Sequence, residues 1–151
     1  MKISGEHLLP AAQEQVWALL DDPARLARLV PGVQKFNIVA PDEFEGTMTV
    51  AVAAVKGTYT GHIKIDEKRQ PEYYKASFDG KGAQGFIRGT GTLELEPKGQ
   101  EQTLVRYAAD VQIGGPIMQV GQRMLESVAK RMLNDFFAAA ETELKGGTNQ
   151  S

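Results

Sequence analysis

Hydrophobic and polar positions alternate from the start of the chain. Ile3, Gly5, His7 and Leu9 share one side and Ser4, Glu6 and Leu8 the other, which predicts a short first strand ended by Pro10. The period then lengthens. Val16, Trp17, Leu19 and Leu20 recur at helical spacing between Ala11 and Asp22, with Trp17 expected to anchor this helix to the sheet edge. Asp22-Pro23 supplies the N-cap and first-turn chemistry of a second short helix carrying Leu26, Leu29 and Val30, which Pro31-Gly32 stops. From Val33 to Gly115 the period is two. Breakers at Pro41-Asp42, Lys56-Gly57, Gln70-Pro71, Gly80 to Gly85 and Pro97-Lys98-Gly99 divide this stretch into about six antiparallel strands.

One register of those strands collects Phe44, Met48, Val50 and Val52, then Tyr59, Ile63 and Ile65, then Tyr74, Ala76 and Phe78, then Ile87, Leu93 and Leu95, then Val105, Tyr107, Val111 and Ile113. The other carries Thr47, Lys64, Lys75, Arg88, Glu94 and Arg106, so the sheet has one dry face and one wet face. After Gly114-Gly115-Pro116 the spacing predicts a helix from about Ile117 to Lys145. Met118, Met124, Leu125, Val128, Met132 and Phe136 fill its apolar arc, and Arg123, Glu126, Lys130 and Asn134 the polar one. Only the dry face of the sheet offers enough apolar surface to cover that arc. The expectation is an α+β domain over residues 1–145: a curved antiparallel sheet of about seven strands wrapped around a long C-terminal helix, with two short helices after strand 1. Residues 146–151 read as a flexible tail.

Composition adds exclusions. With 151 residues the chain suits one domain, and a net charge of −2 lacks the basic footprint that nucleic acid demands. The absence of cysteine removes disulfides, thiolate nucleophiles and cysteine-bound metals. The N-terminus shows no apolar run of signal-peptide length and no segment approaches a membrane span, so the default location is cytoplasmic, with at most transient visits to a membrane face.

The interior is short of chemistry. His62 falls on the wet register and His7 on the dry one, where a lone histidine is more often a core residue than a base. No carboxylate pair faces inward, and no catalytic residue, metal site or cofactor is assigned. Gly80-Lys81-Gly82-Ala83-Gln84-Gly85 matches G-x-G-x-x-G, but a strand follows it where a dinucleotide site needs a helix, so it reads as a glycine-rich hairpin. The dry register also contains Gly46, Gly61, Ala76, Gly89, Gly91 and Ala109, which either let the sheet bend or leave a cavity beneath the helix. Flexible methionines favour a cavity that moulds to a guest. The candidate ligand-binding residues are Met48, Val50, Tyr59, Ile63, Phe78, Ile87, Tyr107, Val111, Met118, Met124, Val128 and Met132, with Tyr59 and Tyr107 able to orient a polar head.

Several segments carry a family resemblance: Met1-Lys2-Ile3-Ser4-Gly5-Glu6, Val16-Trp17, Leu29-Val30-Pro31-Gly32, Val55-Lys56-Gly57-Thr58-Tyr59-x-Gly61, Gly80-Lys81-Gly82-x-x-Gly85-Phe86 and Gly114-Gly115-x-x-x-Gln119-x-Gly121-x-Arg123. In this order and spacing, to about Leu144, they resemble the carbon monoxide dehydrogenase G-subunit family within the START/Bet v 1-like (SRPBCC) superfamily. The resemblance implies the helix-grip fold. It also implies a non-enzymatic accessory protein that takes a hydrophobic ligand (a lipid, quinone, isoprenoid or fatty acid) and acts with a carbon monoxide dehydrogenase-like molybdenum hydroxylase, with a role in membrane recruitment. The polar residues Gly146 to Ser151 depart from the longer C-terminal extension of some family members, so no stable membrane anchor is expected in this chain. The competing reading is a cyclase, dehydratase or hydrolase on the same fold, with His7 or a tyrosine as its acid–base group.

Overall fold

The computed structural model describes residues 1–52 and 55–149, with side chains through residue 146. The elements run β1 (Lys2–Leu9), α1 (Gln13–Asp21), α2 (Pro23–Leu29), β2 (Val33–Ala40), β3 (Glu43–Val50), β4 (Gly57–Arg69), β5 (Tyr73–Gly82), β6 (Gly85–Pro97), β7 (Thr103–Gly114), a 3₁₀ turn (Pro116–Val120) and α3 (Gln122–Asn149). The strands form one seven-stranded sheet in the order β1-β7-β6-β5-β4-β3-β2. Every pairing is antiparallel. This is the expected curved sheet with its two short helices after strand 1 and a long C-terminal helix across the dry face.

Local chemistry sets the boundaries. The Asp22 carboxylate accepts hydrogen bonds from Ala24 N at 3.0 Å and Arg25 N at 3.4 Å, and Pro23 occupies the first turn where its missing N–H costs nothing. Thr103, fully buried, donates its hydroxyl to Ala11 O at 2.8 Å and so ties the start of β7 to the β1–α1 corner. Gln13 Nε2 adds a bond to Leu95 O on β6 at 3.0 Å. Glu143 near the end of α3 accepts from Arg28 at 2.8 Å and faces Arg25 at 3.5 Å, joining α2 to α3.

Two apolar clusters fill the space between sheet and helices. One joins α1, α2 and the second half of α3 to the sheet through Trp17, Leu19, Leu29, Leu95, Val105, Phe137 and Leu144. The other sits under the start of α3 and contains Val50, Val55, Leu125 and Val128. Trp17 does not anchor α1 to a sheet edge. Its ring stacks on Tyr74 at 4.2 Å, and Tyr74 belongs to β5, an inner strand, because α1 crosses the dry face rather than skirting it.

The C-terminal helix differs from the expected Ile117–Lys145 span at both ends. Gly121, at φ 90°, takes a left-handed conformation that side-chain-bearing residues disfavour, so it breaks the segment and leaves Pro116–Val120 as a separate 3₁₀ turn. At the other end α3 continues to Asn149, past the expected limit at Lys145 and into the predicted tail; Gln150 and Ser151 lie outside the described residues.

Candidate functional site

Where the sheet curls away from α3, a cavity of about 480 Å³ remains. That lies within the range of roughly 300–1,000 Å³ typical of small-molecule sites. Its floor is a row of small residues running laterally through the sheet: Ala76 on β5 pairs with Gly91 on β6, and Gly91 pairs with Ala109 on β7. All three line the cavity. A Cβ built on Gly91 would meet Ala108 O at 3.5 Å, Ala109 Cβ at 3.7 Å and Phe78 Cε1 at 3.8 Å, all ordinary contacts, so its missing side chain leaves open volume. Gly89, two residues away on the same face, is different. A Cβ there would overlap the Asp110 carbonyl oxygen, and one on Gly46 would overlap that of Lys35, so these glycines permit close backbone approach. The small dry-face residues thus divide: Ala76, Gly91 and Ala109 make space, whereas Gly46 and Gly89 make curvature.

Of the residues expected to contact a ligand, Met48, Val50, Tyr59, Phe78, Ile87, Tyr107, Val111, Val128 and Met132 line this cavity. Three do not. Ile63 pairs with Phe78 and is half-buried, but it is outside the lining. Met118 is 51% exposed and Met124 44% exposed. An unbroken helix would have turned Met118 inward, but the interruption at Gly121 leaves it on the 3₁₀ turn beside the opening; Met124 lies within α3 itself, on the flank of the arc formed by Leu125, Val128 and Met132, and so faces away from the cavity. Met1, Leu20, Leu26, Val55, Phe86 and Ile117 were not among those candidates and also line the cavity, from the start of the chain, α1, α2, the loop before β4, β6 and the 3₁₀ turn. The apolar residues of the short α2 were the one available signal, since a second short helix needs a dry surface to cover.

The wall is hydrocarbon with few polar atoms. Tyr59 donates its hydroxyl to Val55 O at 2.7 Å, which fixes the loop before β4 and leaves little capacity to orient a guest; burial raises its pKa. Tyr107 lies across Gly5 of β1, where no side chain stands in its way, and stacks on Phe137 at 5.6 Å. Tyr74, 6% exposed, closes the end near α2. Its hydroxyl, beside Asp21, has no partner in hydrogen-bonding geometry among the described residues. Burial foremost, and then the negative charges of Asp21 and Asp42, push its ionisation far above the ordinary tyrosine range. Those two carboxylates flank Lys68 at 3.0 and 2.6 Å, so the cap over this end is an exposed ion-paired cluster.

His7 is on the helix-facing side as expected, but its ring stacks on Phe137 at 4.9 Å and it is not part of the cavity wall. His62 lies on the wet face beside Glu43 and Asp79. Among the described residues no group of three or more His, Cys, Asp or Glu is placed to hold a metal ion, and no helix is long and apolar enough to cross a membrane.

The opposite end of the cavity reaches the surface. Phe86 is 46% exposed yet lines both the cavity and an adjoining groove that also contains Met1, Arg88, Met118 and Gln122. The 3₁₀ turn borders this opening and is joined to the β5–β6 hairpin by a hydrogen bond from Ile117 N to Gln84 O at 2.6 Å.

Comparison with known proteins agrees with this architecture. The family model for the carbon monoxide dehydrogenase G-subunit (CoxG) matches residues 5–145. A search of the curated proteins found no significant match. Among solved structures, a conserved protein from Geobacillus kaustophilus is similar at 31% identity with a TM-score of 0.94, over 97% of this chain and 96% of its own. A START superfamily protein from Mycobacterium smegmatis shares 14% identity with a TM-score of 0.76, over 96% of this chain and 97% of its own. The Zhui aromatase/cyclase from Streptomyces sp. R1128 shares 18% identity with a TM-score of 0.70, over 96% of this chain and 93% of its own. At these identities the last two show the fold alone: the helix-grip arrangement of START-like proteins.

Proposed function

The chain belongs to the carbon monoxide dehydrogenase G-subunit (CoxG) family, and from that premise we propose that it is a non-enzymatic accessory protein that carries a hydrophobic, lipid- or quinone-like ligand in the cavity between the sheet and α3. The observation that carries the reading is the cavity itself: about 480 Å³ of space walled by aliphatic and aromatic side chains. Burying a guest there gains roughly 25 cal/mol per Å² of apolar surface removed from water, while a charged or strongly polar molecule would lose its hydration without replacement. Tyr107 is the hydroxyl best placed to orient a polar head, because that of Tyr59 already serves Val55.

The rest of the reading follows the family. The protein acts with a carbon monoxide dehydrogenase-like molybdenum hydroxylase, from the cytoplasm and with transient contact at the membrane, where membrane recruitment is part of its role. The cyclase-type alternative, with His7 or a tyrosine as its acid–base group, is less well supported, since His7 is stacked against Phe137 outside the cavity wall and the Tyr59 hydroxyl is engaged by Val55 O.

Organic extraction and native mass spectrometry of the purified protein test the carrier reading, together with titration of a short-chain quinone, an isoprenoid alcohol and a fatty acid. Uptake of at least one at micromolar concentration is expected. Failure to take up any of them refutes it.

A further inference from the structure

Strand β4 breaks its own alternation at the α2 end of the cavity. Tyr59 and Ile65 share the helix-facing side, and strict parity would send Lys68 to the wet face. A bulge between Ile65 and Glu67 shifts the register, so Lys68 pairs directly with Tyr74 of β5 and shares its side of the sheet. The re-aimed ammonium meets Asp21, at the end of α1, at 3.0 Å and Asp42, in the β2–β3 turn, at 2.6 Å. With two carboxylates around one lysine, the cluster keeps an excess negative charge. It borders a second pocket of about 200 Å³. Leu20, Leu26, Ile65 and Tyr74 line both this pocket and the main cavity, so these four side chains are the partition between a hydrocarbon space and a polar one.

Tyr74 is the member of that partition that carries chemistry. It is 6% exposed, its ring stacks on Trp17, and its hydroxyl lies near Asp21 without meeting any group of the described residues in hydrogen-bonding geometry. Buried hydroxyls are nearly always satisfied, so one left open at the end of a cavity points to a partner that arrives from outside the chain. Burial and the nearby carboxylates keep this hydroxyl protonated, and it can therefore donate. The polar groups also collect at one end. Leu93 of β6 pairs with Tyr74 on one side and Tyr107 on the other, which places both tyrosines in a single cross-sheet row. From Leu93 to Ile87, both in the cavity wall, β6 runs about 20 Å through hydrocarbon surroundings.

We propose that the main cavity and the second pocket form one two-part site, in which the guest's apolar body fills the cavity and a neutral terminal oxygen, hydroxyl or carbonyl, parts Leu20 and Leu26 to accept a hydrogen bond from Tyr74. The proposal rests on the carrier reading and chooses among its guests. A carboxylate is disfavoured, because it would lose hydration beside a cluster that is already negative. An alcohol gains most, since it accepts from Tyr74 and donates to Asp21. Tyr107 meets the head within the main cavity, and Tyr74 holds it at the end.

Titration of the full chain at neutral pH with farnesol, farnesoic acid and the parent hydrocarbon farnesene tests it. The alcohol should bind at least about tenfold more tightly than the ionised acid. Tyr74→Phe keeps the ring on Trp17 and should weaken the alcohol roughly three- to tenfold more than the hydrocarbon. Asp21→Asn removes one negative charge and should narrow the gap between acid and alcohol by at least about threefold. Trp17, the single tryptophan, stacks on Tyr74 and so reports where the head lies. A long-chain alcohol brominated beside its hydroxyl should quench Trp17 emission more strongly than the same alcohol brominated at its far end. Equal affinity for acid and alcohol, equal losses of alcohol and hydrocarbon in Tyr74→Phe, or stronger quenching by the far-end bromine would each overturn the proposal. The quenching comparison uses the unaltered chain, so it decides the matter even if a variant misfolds. Binding of the hydrocarbon without these preferences leaves the carrier reading standing and refutes the two-part site, whereas binding of no probe at all refutes both.

Discussion

Gly91 is the position at which the cavity can be tested by filling it. Its backbone lies outside the left-handed region, and the atoms nearest a built Cβ are at 3.5 to 3.8 Å, so Gly91→Leu enters space without displacing the chain. Two terms favour the variant. Burying a leucine side chain is worth about 1.5–3 kcal/mol, and replacing glycine inside a strand recovers about 0.5–1 kcal/mol of backbone entropy. A leucine confined on one side by an unfilled cavity realises only part of the first term, so a net gain of about 1–3 kcal/mol is expected for the ligand-free protein. At about 2–4 °C per kcal/mol for a chain of this size, the melting temperature should rise by roughly 2–12 °C. Ligand affinity should move the other way, by at least tenfold, because the new side chain occupies the middle of the floor. Gly89→Leu is the control: its Cβ would overlap the Asp110 carbonyl oxygen, so the backbone must shift at a cost of about 1–3 kcal/mol or more. Thermal and urea unfolding of both variants, with titration of an isoprenoid alcohol, measure these effects. If Gly91→Leu is destabilised as much as Gly89→Leu, or binds the probe as well as the parent, the space above Gly91 does not exist and the cavity floor is refuted.

Three further outcomes follow from particular contacts. Phe137, 2% exposed, stacked on His7 and Tyr107 and met edge-on by Phe136, should cost about 3–5 kcal/mol on truncation to alanine by urea unfolding; a loss under about 1 kcal/mol would contradict its central place in the packing. Tyr59→Phe removes the bond to Val55 O and should cost about 1 kcal/mol of stability with probe affinity changed by less than about threefold, whereas a tenfold loss of affinity would mean that the hydroxyl serves the ligand instead. Glu143 has its pKa lowered chiefly by the hydrogen bond from Arg28, then by the charges of Arg28 and Arg25. Its folded-state pKa therefore lies below the unfolded one, so the interaction stabilises above the ordinary glutamate range and is lost as pH falls through the lowered value. The pair is partly exposed and screened by solvent, so the effect should stay below about 1 kcal/mol. Unfolding of Glu143→Gln across the acid range should lack that component, and an unaltered acid limb would show that the ion pair contributes nothing to stability.

Much of the architecture was legible in the chain because alternation and helical spacing are local signals. Strand parity correctly assigned Met48, Tyr59, Phe78, Ile87, Tyr107 and Val111 to the helix-facing side, and this parity is why they line the cavity once the sheet curves. Asp22-Pro23 marked the start of α2 for the same reason: a cap is satisfied by its own next few residues. Gly121 is the instructive failure. Periodicity continues through it, so residues before and after fall on one apparent arc, but its left-handed backbone resets the direction and leaves Met118 outside the cavity.

What the sequence determined by itself was the order and type of the elements, the two faces of the sheet, and the family, since each depends on residues close together or on their order. What only the tertiary structure decided was which small residues make room and which make curvature, and that Tyr59 is occupied by Val55 and His7 by Phe137. These depend on how far a twisted sheet bends before α3 closes over it. That distance is fixed by all the strands acting together, and no single stretch of residues encodes it.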